Sequence, residues 1–327
     1  MDNHRQDGPA DGGGMETENL NDLIEQGRRP NLKAVMRLYL LALLILLVLG
    51  SIAQGLDFEI GMLITQWVLI LLPALWFLNR YRVDQYSFVR LRPLRAGFIP
   101  VIILLSASFW LLNMVIAAGL VSGLMELGYE PIMVIEPPET FQNYLVYLFV
   151  IAISAGICEE VLFRGTIMPA MEEHGLVPAI VFSSLLFAIF HLSFLNLIST
   201  FMLGAVIAVI VIKSGSLWGG VLYHMLNNFY AVTYLYLAGQ EEAATEVDPQ
   251  AYLAFIPLFI LALGGAYAGL KLLQKISVVK PLLEDRDRRW FPRGWFSWVM
   301  VFSLLLFLIM ALLEFAIGFG WFGLDMI

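Results

Sequence analysis

Three short stretches hold the residues best suited to chemistry. "GICEEVLFRG", Gly156 to Gly165, places Glu159, Glu160 and Arg164 at the end of an otherwise apolar run, "NYLVYLFVIAISA". "LLFAIFHL" carries His191, and "VLYHMLNNFY" carries His224, Asn227 and Asn228. A charge at mid-bilayer costs roughly 2.5 to 3.5 kcal/mol on insertion scales, so three in one segment need partners or a task. Glu160 and Arg164 are four apart on one helical face, in the order that favours an ion pair, whereas Glu159 is rotated about 100° away and left free. His224 and Asn228 also share a face.

These types suit a catalytic or binding cavity, and their acid–base chemistry is compatible with hydrolysis. A carboxylate held out of bulk water is a base able to activate a water molecule. An imidazole and a carboxamide can donate to the developing oxyanion, each worth roughly 3 kcal/mol in a low-dielectric site. Glu159, His191 and His224 are equally a legitimate catalytic zinc set with a position left for water, although there is no HExxH helix and the ligands would come from three helices. Cys158 is the only cysteine. It excludes an intramolecular disulfide and a cysteine-rich metal site, and two adjacent carboxylates in apolar surroundings disfavour its thiolate, so it reads as a small packed hydrophobe.

The elements that must position these groups are membrane helices. The chain has 327 residues, 60% hydrophobic and 14% charged, far more apolar than a soluble domain of that length. Apolar runs of about 20 residues, enough for a hydrocarbon core of roughly 30 Å, recur along it. Nine are expected, at about 34–53, 60–78, 98–120, 141–163, 176–193, 196–213, 217–238, 251–272 and 296–320. The fold class is therefore all-α, a polytopic transmembrane bundle. Residues 1–33 read as a flexible cytoplasmic tail with no apolar signal-peptide region, 34–320 as the transmembrane domain, and 321–327 as a short C-terminal tail.

Charge sets the topology. Arg80, Arg82, Arg90, Arg92 and Arg95 crowd one loop, and Lys271, Lys275, Lys280, Arg286, Arg288, Arg289 and Arg293 another. The segments holding Glu126, Glu130, Glu136 and Glu139, and Glu241, Glu242, Glu246 and Asp248, have no Lys or Arg. With nine spans and a cytoplasmic N-terminus, every Lys and Arg falls inside, including Arg164 and Lys213 at inner helix ends, which is the positive-inside pattern. The basic loops read as topology determinants and not as nucleic-acid contacts. His4 lies in the tail and His174 in the "EEHG" turn, which leaves His191 and His224 as the two histidines buried in spans.

Register brings the polar groups to one depth. "TIMPAM" extends the fourth helix past Arg164, bent near Pro169, to a turn at Glu173 to Gly175. Antiparallel helices leaving that turn set Glu159 opposite His191, each about 23 to 26 Å along its helix. From Lys213, His224 rises about 16 Å and Asn228 about 22 Å. All four can occupy one layer inside the membrane.

At these residues the sequence resembles the CAAX prenyl protease and bacteriocin-processing intramembrane proteases, the Abi or type II CAAX endopeptidase family. The likeness rests on "EEVLFR" (Glu159 to Arg164), "FAIFH" (Phe187 to His191) and "HMLNN" (His224 to Asn228), with "GSLWGG" as a lead-in, over a family core of about 141–232. The resemblance implies an intramembrane endopeptidase, with Glu159 as the base that activates water, assisted by His191. His224 and Asn228 would stabilise the oxyanion, and Glu160 and Arg164 would support the site. The family is often labelled metalloprotease and a metal-free glutamate mechanism is also proposed for it; the metal-free form is the preferred expectation, with zinc on Glu159, His191 and His224 as the other. The expected partners are a peptide or membrane-protein substrate and the lipid bilayer, with no nucleic acid and the homo-oligomeric state open. The expected location is the bacterial cytoplasmic (inner) membrane.

Competing readings are a non-catalytic scaffold or bacteriocin-immunity-type binding protein of the same family, polar groups that only join helices, and a proton-relay transporter, against which stands the lack of an internal repeat. Gly265 and Gly269 in "GGAYAG" form a small-xxx-small face, expected to pack within the chain more than to mark a dimer.

Overall fold

The computed structural model describes residues 29–131, 135–240, 251–279 and 297–321, with backbone alone at 251–255. The expected basic residues Lys280, Arg286, Arg288, Arg289 and Arg293, the acidic Glu241, Glu242, Glu246 and Asp248, His4 and most of both terminal tails lie outside the described residues. Among the described residues the chain is helical, with no strand. The helices are α1 Leu32–Leu56, α2 Phe58–Tyr81, α3 Ala96–Met125, α4 Phe141–His174, α5 Leu176–Phe190, α6 Leu197–Ser214, α7 Leu217–Ala238, α8 Ala251–Ile276 and α9 Trp298–Gly318.

Seven of these, all but α5 and α7, are long and apolar enough to cross a membrane. Together with the apolar faces they turn outward, such as Leu304, Leu305, Leu308 and Leu312 of α9, they make this an integral membrane protein. α7 has the length, at 22 residues, but carries His224, Asn227 and Asn228. α5 has 15 residues, about 22 Å of helix, so the span expected at 176–193 ends three residues early. The narrow division between the fifth and sixth segments is a real break: α5 stops at Phe190 and α6 begins at Leu197.

Local chemistry explains the helix ends. Asn31, Asp57, Thr140 and Ser297 cap α1, α2, α4 and α9, each side chain accepting from the amide three residues on. The turn from α4 to α5 falls at Gly175, whose φ of 111° is strained for any residue with a Cβ. α4 is regular up to Tyr147 and then loosens into π-helical geometry at Leu148–Ser154 and again at Phe163–Ile167. The second loosening immediately precedes Pro169, whose missing N–H cannot serve the ladder.

The ends of the bundle are segregated by charge. Leu217 N donates to Arg90 O at 2.9 Å, Ser216 Oγ donates to Arg92 O, and Val278 N donates to Lys213 O at 2.9 Å. These bonds gather the arginine loop, the α6–α7 turn and the end of α8 at one face. At the other, Glu130 N donates to Gly318 O at 2.7 Å and Gln240 Nε2 to Glu139 O at 3.3 Å. Gly265 and Gly269 meet Ser108 and Leu105 of α3, so this small-residue face packs within the chain.

Candidate active site

α4, α5 and α7 converge around a buried aromatic and ionic centre. The rings of Phe163 and Phe187 meet edge to face at 5.0 Å, and the Arg164 guanidinium lies 4.5 Å over Phe187. Glu160 and Arg164 are both fully buried, and Arg164 Nη1 donates to Glu160 Oε1 at 3.1 Å, as their four-residue spacing predicts. Arg164 Nη2 donates to Gly204 O on α6 at 2.9 Å. A side chain at Gly204 would press on Arg164 Nη2 at 3.1 Å and on the Ser184 backbone at 3.2 Å, so the small residue makes room for the guanidinium.

The same Glu160 Oε1 accepts from His224 Nδ1 at 2.9 Å. His224 is 2% exposed, and this bond fixes its ring with Nε2 as the nitrogen left for other partners. Asn228, one turn on, donates from Nδ2 to Ile151 O at 3.1 Å and accepts from Asn227 Nδ2 at 3.3 Å. One Nδ2 hydrogen of Asn228 remains available.

Glu159 is 7% exposed and accepts from Gln66 Nε2 at 2.8 Å on Oε1, while its Oε2 is buried with no hydrogen-bond partner among the described residues. It is therefore separated from the Glu160–Arg164 pair, as the helical geometry requires. Gln66 is a residue that spacing did not single out. It lies in α2, in the π-helical stretch Ile64–Leu71, and the only sign of it in the sequence is an amide inside "GMLITQWVLILL", the same sign that marked Asn227.

His191 departs from the sequence reading. It sits at the C-cap of α5, exposed to the cavity and not enclosed in a span, with Leu192 beyond it at a φ of 52°. Its Nδ1 donates to Phe187 O at 2.8 Å, which again leaves Nε2. The reason is length: α5 is too short to carry His191 inside a helix, and the backbone turns there. The loop that follows is tied to α9, where Glu314 accepts from Ser193 Oγ at 2.8 Å and from Phe194 N at 2.6 Å. Glu314, an acid within the last apolar segment, was likewise legible only as a lone charge in "MALLEFAIG".

Glu159, His191, His224 and Asn228 all line one cavity of about 610 Å³, with Gln66, Asn113, Asn227 and the aromatic Trp110 and Tyr234 among its other walls. Residues 141–230, from the start of α4 into α7, match the family model described as type II CAAX prenyl endopeptidase Rce1-like. The chain carries an Rce1-like domain. The match spans the helices that carry these four cavity residues and leaves α1 to α3, α8 and α9 outside it; the family it points to is one of CAAX-type endopeptidases. Searches of curated proteins and of solved structures returned no match. The Rce1-like domain supplies all four cavity residues named above, whereas Gln66 and Glu314 reach it from helices outside the matched segment.

By donor type, Glu159 Oε2 and the two Nε2 atoms suit zinc, and an imidazole held through its other nitrogen is how metal-bound histidines are commonly oriented. By spacing they do not form a ready set: among the described residues no three His, Cys, Asp or Glu side chains stand close enough together to hold one ion.

Proposed function

We propose that this protein hydrolyses a peptide bond within the membrane, with water activated by Glu159 and His191 and the oxyanion met by His224 and Asn228. The observation that carries the reading is the convergence of these four side chains, from three helices, on one cavity of about 610 Å³. Glu159 Oε2 takes a proton from water, whose oxygen attacks the scissile carbonyl carbon. The Nδ1 bond of His191 to a carbonyl leaves Nε2 as an acceptor that orients that water. Glu159 then passes the proton to the amide nitrogen as the C–N bond breaks, and a carboxylic acid and an amine leave, the acid's proton ending on the amine.

The tautomers sharpen the oxyanion role. With Nδ1 of His224 bonded to Glu160, Nε2 is the atom turned to the oxyanion, and Glu160 is the carboxylate placed to support a proton held there. The free Nδ2 hydrogen of Asn228 is the second donor. The loose spacing of Glu159, His191 and His224 favours the metal-free form, and no step here is routed through a metal.

The positive-inside pattern supports a cytoplasmic arginine-bearing face with the N-terminus on the same side, and the membrane proposed is the bacterial cytoplasmic one. The function is tested by labelling new protein N-termini in membranes of cells carrying wild type or Glu159→Ala. Termini that depend on Glu159 are expected, and their absence with both proteins well expressed refutes proteolysis. Metal analysis of the purified active chain is expected to find no stoichiometric zinc.

A further inference from the structure

A second cavity, of about 430 Å³, opens at the basic face, away from the catalytic residues. Its polar walls are Arg90, Arg92 and Arg95 of the α2–α3 loop with Ser87 and Ser214, and its apolar walls include Leu176, Ile212 and Val278. Positive-inside topology accounts for arginines in this loop, but not for three of them converging on one hollow with helix ends from α5, α6 and α8.

The loop is held in that shape. Arg90 takes a left-handed backbone φ of 60°, its carbonyl is bonded by the α7 amide of Leu217, and the Arg92 carbonyl is bonded by Ser216. Arg90 Nη2 donates to Glu172, yet its Nη1 is buried without a hydrogen-bond partner among the described residues. Arg92 uses Nε on Tyr86 O at 3.1 Å, which leaves its fork of terminal N–H groups. Glu172 offsets one of the three charges, so about two positive charges remain beside the Ser87 hydroxyl and an apolar wall.

We propose that this cavity binds a phosphate group. Planar, multi-donor guanidinium groups suit phosphate oxygens, and a basic pocket between helix ends at the membrane surface suits the headgroup of an anionic phospholipid, whose acyl chains can lie along Leu176, Ile212 and Val278. Free phosphate offers the same oxygens without the apolar part.

The test uses the full chain purified in detergent, with short-chain phosphatidylglycerol, short-chain phosphatidylcholine and inorganic phosphate as probes, and reads the shift in thermal unfolding midpoint across each titration. Phosphatidylglycerol is expected to raise the midpoint saturably and phosphatidylcholine to leave it unmoved. Arg92→Gln with Arg95→Gln, both exposed positions, is expected to weaken phosphatidylglycerol binding roughly thirtyfold, at about fivefold per arginine. Lys271→Gln with Lys275→Gln, exposed and outside the cavity lining, is expected to change it little. Inorganic phosphate acting as strongly as the lipid assigns the site to free phosphate; weaker action assigns it to the headgroup. Equal responses to the two lipids, or equal affinity in wild type and the double arginine variant, overturn the proposal.

Discussion

Replacing Gln66 with methionine removes one hydrogen bond and little else. Methionine nearly matches glutamine in shape, so α2 keeps its packing, but Glu159 loses the one donor it has among the described residues, now at 2.8 Å from Oε1. A hydrogen bond to a charged group contributes about 1.5 to 3 kcal/mol. If all of it serves to hold Glu159 against the water, cleavage slows roughly 10- to 150-fold. The assay follows the rate at which Glu159-dependent N-termini appear after induction, in membranes matched for protein level. Thr65→Val, beside it but bonded to Gly61 O and Gln54, is the control and should cut near the wild-type rate. If Gln66→Met cuts as fast as wild type while Glu159→Ala does not cut, Gln66 is not what positions the base.

Other substitutions separate scaffold from chemistry. Arg164→Ala removes the guanidinium from a fully buried ion pair and leaves Glu160 with His224 alone, so a loss of about 3 to 5 kcal/mol is expected, seen as failure to recover folded protein by size-exclusion in detergent, whereas Glu159→Gln should be recovered normally. Gly204→Ala presses on Arg164 and the Ser184 backbone; about 1 to 3 kcal/mol of overpacking should lower the unfolding temperature. Glu314→Gln keeps size but exchanges charge-assisted bonds to Ser193 and Phe194 for neutral ones, and should slow cleavage by freeing the loop after His191 while costing only about 1 kcal/mol of stability.

Much of the site was readable because helices repeat. The four-residue spacing of Glu160 and Arg164 is an ion pair in the structure, and the rotation of Glu159 away from them is why it bonds to α2 instead. His191 was misread in one respect, since apolar composition runs on past Phe190 while the helix does not. Gln66 and Glu314 went unremarked because a single amide or acid in an apolar run has no spacing partner to signal it. Their partners lie 93 residues away in one case, and 121 and 120 in the other.

By itself, the sequence determined that the chain is a helical membrane protein, that its basic and acidic loops segregate, and that polar residues recur at helical spacing in or beside the apolar segments. Those are properties of composition and of the 3.6-residue period, which act locally. Tertiary structure alone decided that His224 shares the oxygen of Glu160 that Arg164 holds, that α2 supplies the donor to Glu159, and that α9 anchors the loop after His191. In lipid a buried polar group must find its partner on whichever helix packs against it, and that neighbour is chosen by the packing of the whole bundle.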